Sequence, residues 1–231
     1  MAHENRLLAS LPPDERLRLV SLLEHVVLPK GTVLYEAGDA VQHAYFPTHG
    51  LFSRLVITPN GDAVAVAMVG SEGFIGLPIV LHSETTSYRI VAQLSSAALR
   101  IRAEALREEI GRSTLFHQSL LRYAHDVLSE TSRAFVCQRF HSTAQRLSRW
   151  LLVVGERAGS DTLELTHESM AHVLGVPRSV VTTAAVELQD AGHIWYRHGH
   201  IIIKNRKQLK IAACDCYRAS DREEHRVRSA S

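Results

Sequence analysis

The chain has 231 residues, 45% of them hydrophobic, which is enough for two ordinary domains that each bury a core. The opening residues carry charges in place of an apolar run, and no stretch of about 18 apolar residues follows, so we expect a cytoplasmic protein with no signal peptide and no membrane partner. The net charge is +2, but residues 1–140 carry 13 Lys/Arg against 14 Asp/Glu, whereas residues 141–231 carry 13 against 10. This asymmetry weakly favours an anionic partner for the C-terminal part.

Short strands are predicted along the first hundred residues, after a helical opening at residues 15–23. Apolar runs at residues 26–28, 32–35, 51–57 and 63–69 are separated by turn residues that leave no room for a helix of ordinary length. Asn60-Gly61 is a typical hairpin turn between two of these runs. The pattern indicates a β-roll or a small barrel.

A long helix is predicted from about Ala103 to Cys137, because this stretch holds no proline and a single glycine near its start, Gly111. Two adjacent apolar seams follow its helical spacing: Phe116, Leu120, Tyr123, Val127 and Ala134 in the first, and Leu121, Ala124, Leu128, Thr131 and Phe135 in the second. Two seams favour a helix that packs against its own domain and against a second copy of itself. The alternative is a helix buried within one domain. A new helical pattern starts after residue 140, where we place the domain boundary.

Residues 165–192 have the pattern of a helix-turn-helix. Thr166 is a plausible N-cap without the full capping box, and the first helix runs to Leu174. Gly175 can end it in the left-handed conformation, Val176 is expected to be buried in the turn, and Pro177 suits the start of the second helix. An ordinary two-helix hairpin would show a similar pattern.

The outer face of the second helix has the side chains that a recognition helix needs. Its inner face holds Val181, Ala184, Ala185 and Leu188, in which the small alanines allow a close helix crossing. Arginine, serine and threonine on the outer face can bond to base edges or phosphates in the major groove.

A β-hairpin directly after the second helix favours a winged helix over a plain helical hairpin. Residues 194–196 and 200–203 are its strands, and 197–199 form the turn. Basic residues at the tip and beyond it are placed to meet phosphates. The candidate DNA-binding residues are Thr166, His167, Arg178, Ser179, Thr182, Thr183, Arg197, His198 and Lys204.

The stretch LGVPRSVVTTAAVELQDAGHIWYRHGHIII, together with the β-rich front and the long helix, resembles the Crp/Fnr superfamily of bacterial transcription regulators. The resemblance implies an α+β fold: an N-terminal β-roll (a double-stranded β-helix similar to cyclic-nucleotide-binding domains), a long dimerisation helix and a C-terminal winged helix-turn-helix. It implies a sensor domain over residues 1–102, a dimerisation helix and hinge over 103–140, a DNA-binding domain over 141–211 and a tail over 212–231. Double-stranded DNA, RNA polymerase and a second copy of the chain are the implied partners.

The sequence departs from the family pattern in its recognition helix. That pattern opens with an Arg-Glu pair and has a further arginine one turn on, whereas this chain keeps Arg178 but has Ser179 and Thr183 at the other two positions. We therefore expect a different preferred DNA site. A second resemblance, to a subgroup with a Cys-x-Cys-Tyr tail, matches Cys214, Cys216 and Tyr217, and no mechanism follows from it.

The sensor region lacks the residues by which family members bind cyclic nucleotides. Gly76 fits the phosphate-binding cassette, but Leu77 replaces its glutamate, Ser87-Tyr88 replaces its Arg-Ser, and Arg89 lies two positions late. Cyclic AMP or GMP is therefore an unfavoured ligand, and the small-molecule effector stays unidentified. The candidate effector-binding residues are Glu72, Gly73, Gly76, Tyr88 and Arg89.

No cofactor and no metal site are expected. Iron–sulfur sensing of the kind used by oxygen-responsive relatives needs four cysteine ligands, clustered near the N-terminus with one distal, but no cysteine precedes Cys137. The three cysteines are Cys137, Cys214 and Cys216, and we expect them to be reduced thiols. The Cys-x-Cys pair is too small for a closed zinc site unless histidines or a second subunit contribute.

Two rival functions remain open at this point. One is a metal-dependent cupin-like enzyme, although His43, His49 and His82 do not have the required spacing. The other is a ligand-binding adaptor that has lost DNA binding, which Arg178 and the basic wing disfavour.

Overall fold

The computed structural model describes residues 4–217. Within them the chain divides into two compact units, residues 4–57 with 67–129 and residues 58–66 with 130–217. The division falls between residues 129 and 130, inside a long helix. None of the helices in this part of the chain is long and apolar enough to cross a membrane.

The first unit is a β-sandwich with short helices before, between and after its strands. Its elements are α1 (Arg6–Ala9), α2 (Pro13–Val20), β1 (Glu24–Leu28), β2 (Val33–Tyr35), β3 (His43–His49), β4 (Phe52–Ile57), the C-terminal end of β5 (Ala63–Val69) from residue 67 on, α3 (Leu77–Val80), β6 (Arg89–Ala92), β7 (Ser96–Arg102), α4 (Ala103–Arg112) and the part of α5 (Thr114–Phe140) up to residue 129. One sheet has the strand order β1-β7-β3 and the other β2-β6-β4-β5. Their core includes the fully buried rings of Phe46, Phe52, Phe74 and Phe116.

The predicted strands and hairpin are confirmed. The runs at residues 26–28, 32–35, 51–57 and 63–69 form β1, β2, β4 and β5. At the Asn60-Gly61 turn the Thr58 N–H donates to the Asp62 carbonyl at 2.8 Å, and Gly61 has a φ of +90°. Strands β3, β6 and β7 were not among the predicted runs. Strand β3 contains Pro47, which cannot donate to a sheet and is unusual in a strand.

The prediction of one continuous helix over 103–137 is wrong at its start. The helix is interrupted at Ser113, whose backbone is extended (φ −123°, ψ 110°), so α4 and α5 are separate helices. Ser113 ends α4 and caps α5, since its hydroxyl oxygen accepts a hydrogen bond from the Phe116 N–H at 3.0 Å. Serine is neutral to unfavourable inside a helix but favoured at an N-cap, and Ser113 occupies an N-cap here.

The two apolar seams of α5 have different environments. Phe116, Leu120, Tyr123 and Val127 of the first seam are buried, and Ala134 is half-buried. Of the second seam, Ala124 is buried and Thr131 half-buried, but Leu121, Leu128 and Phe135 are exposed. These three residues recur every seven positions and form what we call the exposed row of α5.

The second unit is a helical domain with a three-stranded sheet. Its further elements are α6 (Thr143–Ala158), β8 (Thr162–Glu164), α7 (His167–Leu174), α8 (Arg178–Asp190), β9 (Ile194–Arg197), β10 (His200–Ile203) and α9 (Arg206–Ala212). The sheet order is β8-β10-β9, with both pairs antiparallel. Helix α6 begins with a Ser142 capping box and ends at Gly159 in the left-handed conformation. It contributes Leu147, Trp150, Leu151 and Val154 to the core, as its sequence pattern predicts.

Candidate nucleic-acid interface

The predicted helix-turn-helix is present as α7, a three-residue turn and α8. Thr166 caps α7: its hydroxyl accepts from the Ser169 N–H at 3.1 Å, and the Ser169 hydroxyl accepts from the Thr166 N–H at 3.1 Å. The capping box is therefore complete, contrary to the prediction, because a serine replaces the usual Glu or Gln. Gly175 is left-handed, with φ +61°. Val176 is only half-buried, so the expectation of a buried turn residue is wrong.

Helix α8 has one buried and one exposed face. Val181, Ala184, Ala185 and Leu188 are buried, as predicted. Arg178, Ser179, Thr182 and Thr183 are exposed on the opposite face. The first two turns of α8 thus present one guanidinium group and three hydroxyl groups to solvent.

The threonines of this face bond to their own helix. The Thr183 hydroxyl donates to the Ser179 carbonyl at 3.2 Å, and the Thr182 hydroxyl lies 3.0 Å from the Arg178 carbonyl. Such bonds favour the rotamer in which the hydroxyl points back to its own helix. Each threonine also carries a methyl group, which can contact the methyl of thymine.

His167 joins three elements of the second unit. Its ring stacks on Tyr196 of β9, with centroids 4.2 Å apart and an interplanar angle of 17°, and its Nδ1 lies 2.9 Å from the Thr182 hydroxyl. Burial, and then the charge of Arg178, lower the pKa of His167 below its usual value. The sequence predicts His167 as a DNA contact, whereas the structure also gives it a positioning role for α8 and the wing. Tyr196 was missed, because stacking between residues 29 positions apart leaves no local pattern.

The wing is a tight hairpin of β9 and β10. Its two turn residues, His198 and Gly199, both have positive φ (+47° and +83°), as a type I′ turn requires. Arg197 and His198 at the tip and Lys204 after β10 are exposed and make no ion pair with any described residue. By contrast, Arg206 is paired, with Nη2 at 2.5 Å from Asp161 Oδ1.

The candidate DNA-binding residues converge on one part of the second unit. Thr166 and His167 start α7, the outer face of α8 follows, and the Tyr196 stack joins His167 to the base of the wing. The Tyr196 N–H also donates to Gln189 Oε1 at 2.8 Å, which joins β9 to α8. The elements that carry the exposed cationic groups are thus joined to one another by a ring stack and hydrogen bonds.

The candidate effector residues of the first unit have structural partners. A side chain at Gly73 would place a Cβ 2.6 Å from the Tyr123 hydroxyl, and one at Gly76 would lie 2.7 Å from Ala44 Cβ. Glu72 accepts from the Gly70 N–H at 2.9 Å. These contacts account for the two glycines without a ligand.

Tyr88 and Arg89 are also engaged. The Arg54 guanidinium lies 5.1 Å from the centre of the Tyr88 ring, and Arg89 Nε donates to Glu36 Oε2 at 2.7 Å. A surface depression of this unit has a different lining: Leu22, Glu24, His43, Arg100, Arg102 and Ala105. The structure therefore does not bring the five candidate residues together around that depression.

One group of potential metal ligands occurs among residues 4–217, and it was not predicted from the sequence. Cys137, His141, Cys214 and Cys216 of the second unit come together. The sequence pattern indicated only the pair Cys214 and Cys216, because Cys137 and His141 lie about 75 residues earlier in the chain.

Comparison with known proteins identifies both regions. Residues 25–113 match the cyclic nucleotide-binding domain family, and residues 145–211 match the Crp-like helix-turn-helix domain family. The transcriptional regulator SdrP of Thermus thermophilus is 25% identical over 197 residues, which cover 79% of this chain and 94% of the relative. A CRP-like cAMP-activated global transcriptional regulator of Mycobacterium tuberculosis is 21% identical, covering 85% and 91%.

The fold is also found in solved structures. A putative Crp/Fnr-family transcriptional regulator from Eubacterium rectale has a TM-score of 0.73 at 19% identity, covering 89% of this chain and 96% of the other. The matched helix-turn-helix family and the two curated relatives are those of transcription regulators and not of enzymes, so the cupin-like enzyme is wrong as an alternative.

Proposed function

We propose that this chain, a member of the Crp/Fnr transcription regulators, acts as a homodimer that reads DNA with α8. Its cyclic nucleotide-binding domain and its Crp-like helix-turn-helix domain identify the family. The observation that carries the proposal is the exposed face of α8, which lies beside a wing with unpaired basic residues. Each half of that surface has a distinct task.

Helix α8 supplies the base contacts. Its 13 residues span about 20 Å, and the major groove admits one helix of this kind. Arg178 at its first position can bond guanine bidentately, and Ser179, Thr182 and Thr183 can reach base edges or thymine methyls. The neutral Ser179 and Thr183 replace charged residues of the family pattern, so the preferred site differs from that of better-known members.

The wing and the start of α7 supply phosphate contacts. Arg197, His198 and Lys204 carry exposed groups that can donate to phosphate oxygens, and Thr166 with His167 lies at the N-terminus of α7, where the helix dipole favours an anion. Contacts of this kind orient the protein without reading the sequence.

Dimerisation occurs through α5. The exposed row of Leu121, Leu128 and Phe135 follows the seven-residue spacing of a coiled-coil seam. A two-fold dimer places two copies of α8 on one face of the duplex, so the operator is an inverted repeat with half-sites about one helical turn apart.

The first unit senses an effector other than cyclic AMP. Leu77 is buried at the position of the family glutamate, and Arg89 is held by Glu36. The Mycobacterium relative is described as cAMP-activated, but the residues for that ligand are replaced here. Bound to its operator in the cytoplasm, the dimer affects transcription through RNA polymerase, as the family implies.

Fluorescence anisotropy with promoter fragments tests the proposal. We expect binding whose logarithmic affinity falls linearly with the logarithm of salt concentration, with a slope that reflects the phosphates contacted. Arg107→Ala is the matched control, because Arg107 is an exposed arginine of the first unit, outside the proposed interface. Salt-independent binding, or an equal loss in Arg107→Ala and Arg178→Ala, would contradict the proposal.

A further inference from the structure

Four side chains converge at one point of the second unit. Cys137 lies in the last turn of α5 and His141 directly follows that helix, while Cys214 and Cys216 follow α9. One ligand atom from each lies within 4.8 Å of all the others. The sulfurs of Cys137 and Cys214 are 3.4 Å apart, and the Cys216 sulfur is 3.7 Å from His141 Nδ1.

Local backbone geometry pairs the ligands two by two. The His141 N–H donates to the Cys137 carbonyl at 3.2 Å, which continues the helical spacing of α5 and puts both side chains on one face. The Tyr217 N–H donates to the Cys214 carbonyl at 3.0 Å, in a turn that contains Cys216. Two short segments, far apart in sequence, thus each present two ligands.

Side chains beyond the cluster hold the second segment in place. The Tyr217 hydroxyl donates to Glu156 Oε1 at 2.6 Å, and the Lys210 ammonium lies 5.4 Å from the centre of the Tyr217 ring. The three cysteines are buried, with exposed fractions of 2–8%. The Cys-x-Cys-Tyr sequence therefore has a geometric explanation: Tyr217 docks the turn, and the two cysteines point to α5.

We propose that Cys137, His141, Cys214 and Cys216 form a structural Zn²⁺ site. Zinc prefers tetrahedral sites of thiolate and imidazole, with Zn–S near 2.3 Å and Zn–N near 2.0–2.1 Å. These bond lengths give ligand–ligand distances of about 3.5–3.8 Å at the tetrahedral angle. The two distances of 3.4 and 3.7 Å are close to that range.

The surroundings suit the charge of such a complex. Three thiolates, one neutral imidazole and Zn²⁺ leave one negative charge. The guanidinium of Arg149 interacts electrostatically with Cys137, as does that of Arg146. Arg149 Nε is buried and has no hydrogen-bond partner among the described residues, and metal-bound thiolates commonly accept hydrogen bonds from nearby N–H groups. Four protein ligands leave no open position, so the site is structural and not catalytic.

Other uses of the cluster fit less well. The 3.4 Å between the Cys137 and Cys214 sulfurs is far longer than a disulfide bond of about 2.05 Å, and a disulfide would leave Cys216 and His141 unexplained. An iron–sulfur cluster would have to spread its ligands around two or more iron atoms. A single ion accounts for all four groups.

The site would fasten the chain that follows α9 to the end of α5. Since ligands from both segments are needed, metal binding and folding of this region are coupled. The zinc would thus stabilise the second unit without touching the exposed face of α8.

Metal analysis of the purified full-length chain tests the site directly. We expect one Zn²⁺ per chain, and X-ray absorption at the zinc edge should show three sulfurs near 2.3 Å and one nitrogen near 2.0–2.1 Å. Chains prepared reduced and without metal should regain one equivalent of Zn²⁺. Failure to retain or take up zinc, a Cys137–Cys214 disulfide in reduced preparations, or iron with sulfide in place of zinc would overturn the proposal.

Variants separate the ligands from general effects on folding. Cys214→Ser and His141→Asn should lower zinc affinity by more than about 100-fold, in competition with a chromogenic chelator. His172→Asn is the control, because His172 is an exposed histidine of the same unit outside the cluster. Wild-type zinc affinity in Cys214→Ser, or an equal loss of affinity in His172→Asn, would overturn the assignment. If a variant does not fold, the X-ray absorption spectrum of the wild type still tests whether three sulfurs and one nitrogen bind the zinc.

Discussion

Truncation of the exposed row of α5 should weaken the dimer. Leu128 and Phe135 are 68% and 74% exposed in the single chain. Full burial of a Leu or Phe side chain is worth about 1.5–3 kcal/mol, so covering the exposed part of either is worth about 1–2 kcal/mol in each chain. Phe135→Ala removes two such side chains from a two-fold interface. We therefore expect a loss of about 2–4 kcal/mol, which raises the dimer dissociation constant about 30- to 1,000-fold.

Sedimentation velocity over a concentration series without DNA measures this constant. Leu115→Ala is the matched control, since Leu115 is 54% exposed on another face of the same helix. We expect Leu115→Ala to keep the wild-type constant and Leu128→Ala to weaken the dimer about as much as Phe135→Ala. If the constant is unchanged in Phe135→Ala and Leu128→Ala, or equally raised in Leu115→Ala, the exposed row is not the interface.

Three further predictions concern the interface and the core. Arg178→Ala should cost about 1–3 kcal/mol on the preferred site and little on random DNA, whereas Lys204→Ala should weaken both alike and reduce the salt slope by about one; anisotropy titrations on both DNAs distinguish them. Because the pKa of His167 is lowered in the folded state, the unfolded state takes up a proton first as pH falls below about 6.5, so stability should decrease towards acid pH. Urea titrations should show a smaller decrease in His167→Gln, and an identical decrease would refute this cause. Gly76→Ala should destabilise the fold by about 1–3 kcal/mol, given φ +142° and the contact at 2.7 Å, while Gly111→Ala, which meets no atom within 4 Å, should not destabilise it.

Local chemistry explains which elements could be predicted. The Asn60-Gly61 hairpin, the left-handed Gly175 and the His198-Gly199 turn each depend on residues that favour positive φ. A few adjacent residues are therefore enough to predict each of these turns. The buried face of α8 followed from helical spacing alone. These features do not require knowledge of distant parts of the chain.

Features that depend on competing local preferences or distant contacts were missed. Ser113 could continue a helix or cap one, and only the packed structure shows that it caps. Ser169 completes a capping box at a position where Glu or Gln is usual. The stack of His167 on Tyr196 and the approach of Cys137 to Cys214 join residues far apart in sequence, and such contacts leave no periodic signal.

Selection of binding sites from a random DNA pool shows whether a dimer of this chain reads DNA with α8. We expect the wild type to enrich an inverted repeat with half-site centres about 10 base pairs apart. We expect Arg178→Ala to lose the preference at one symmetric base-pair position while the other positions persist. Enrichment of no sequence, of a site without two-fold symmetry, or of the same site with undiminished preference in Arg178→Ala would contradict DNA reading by a dimer through α8.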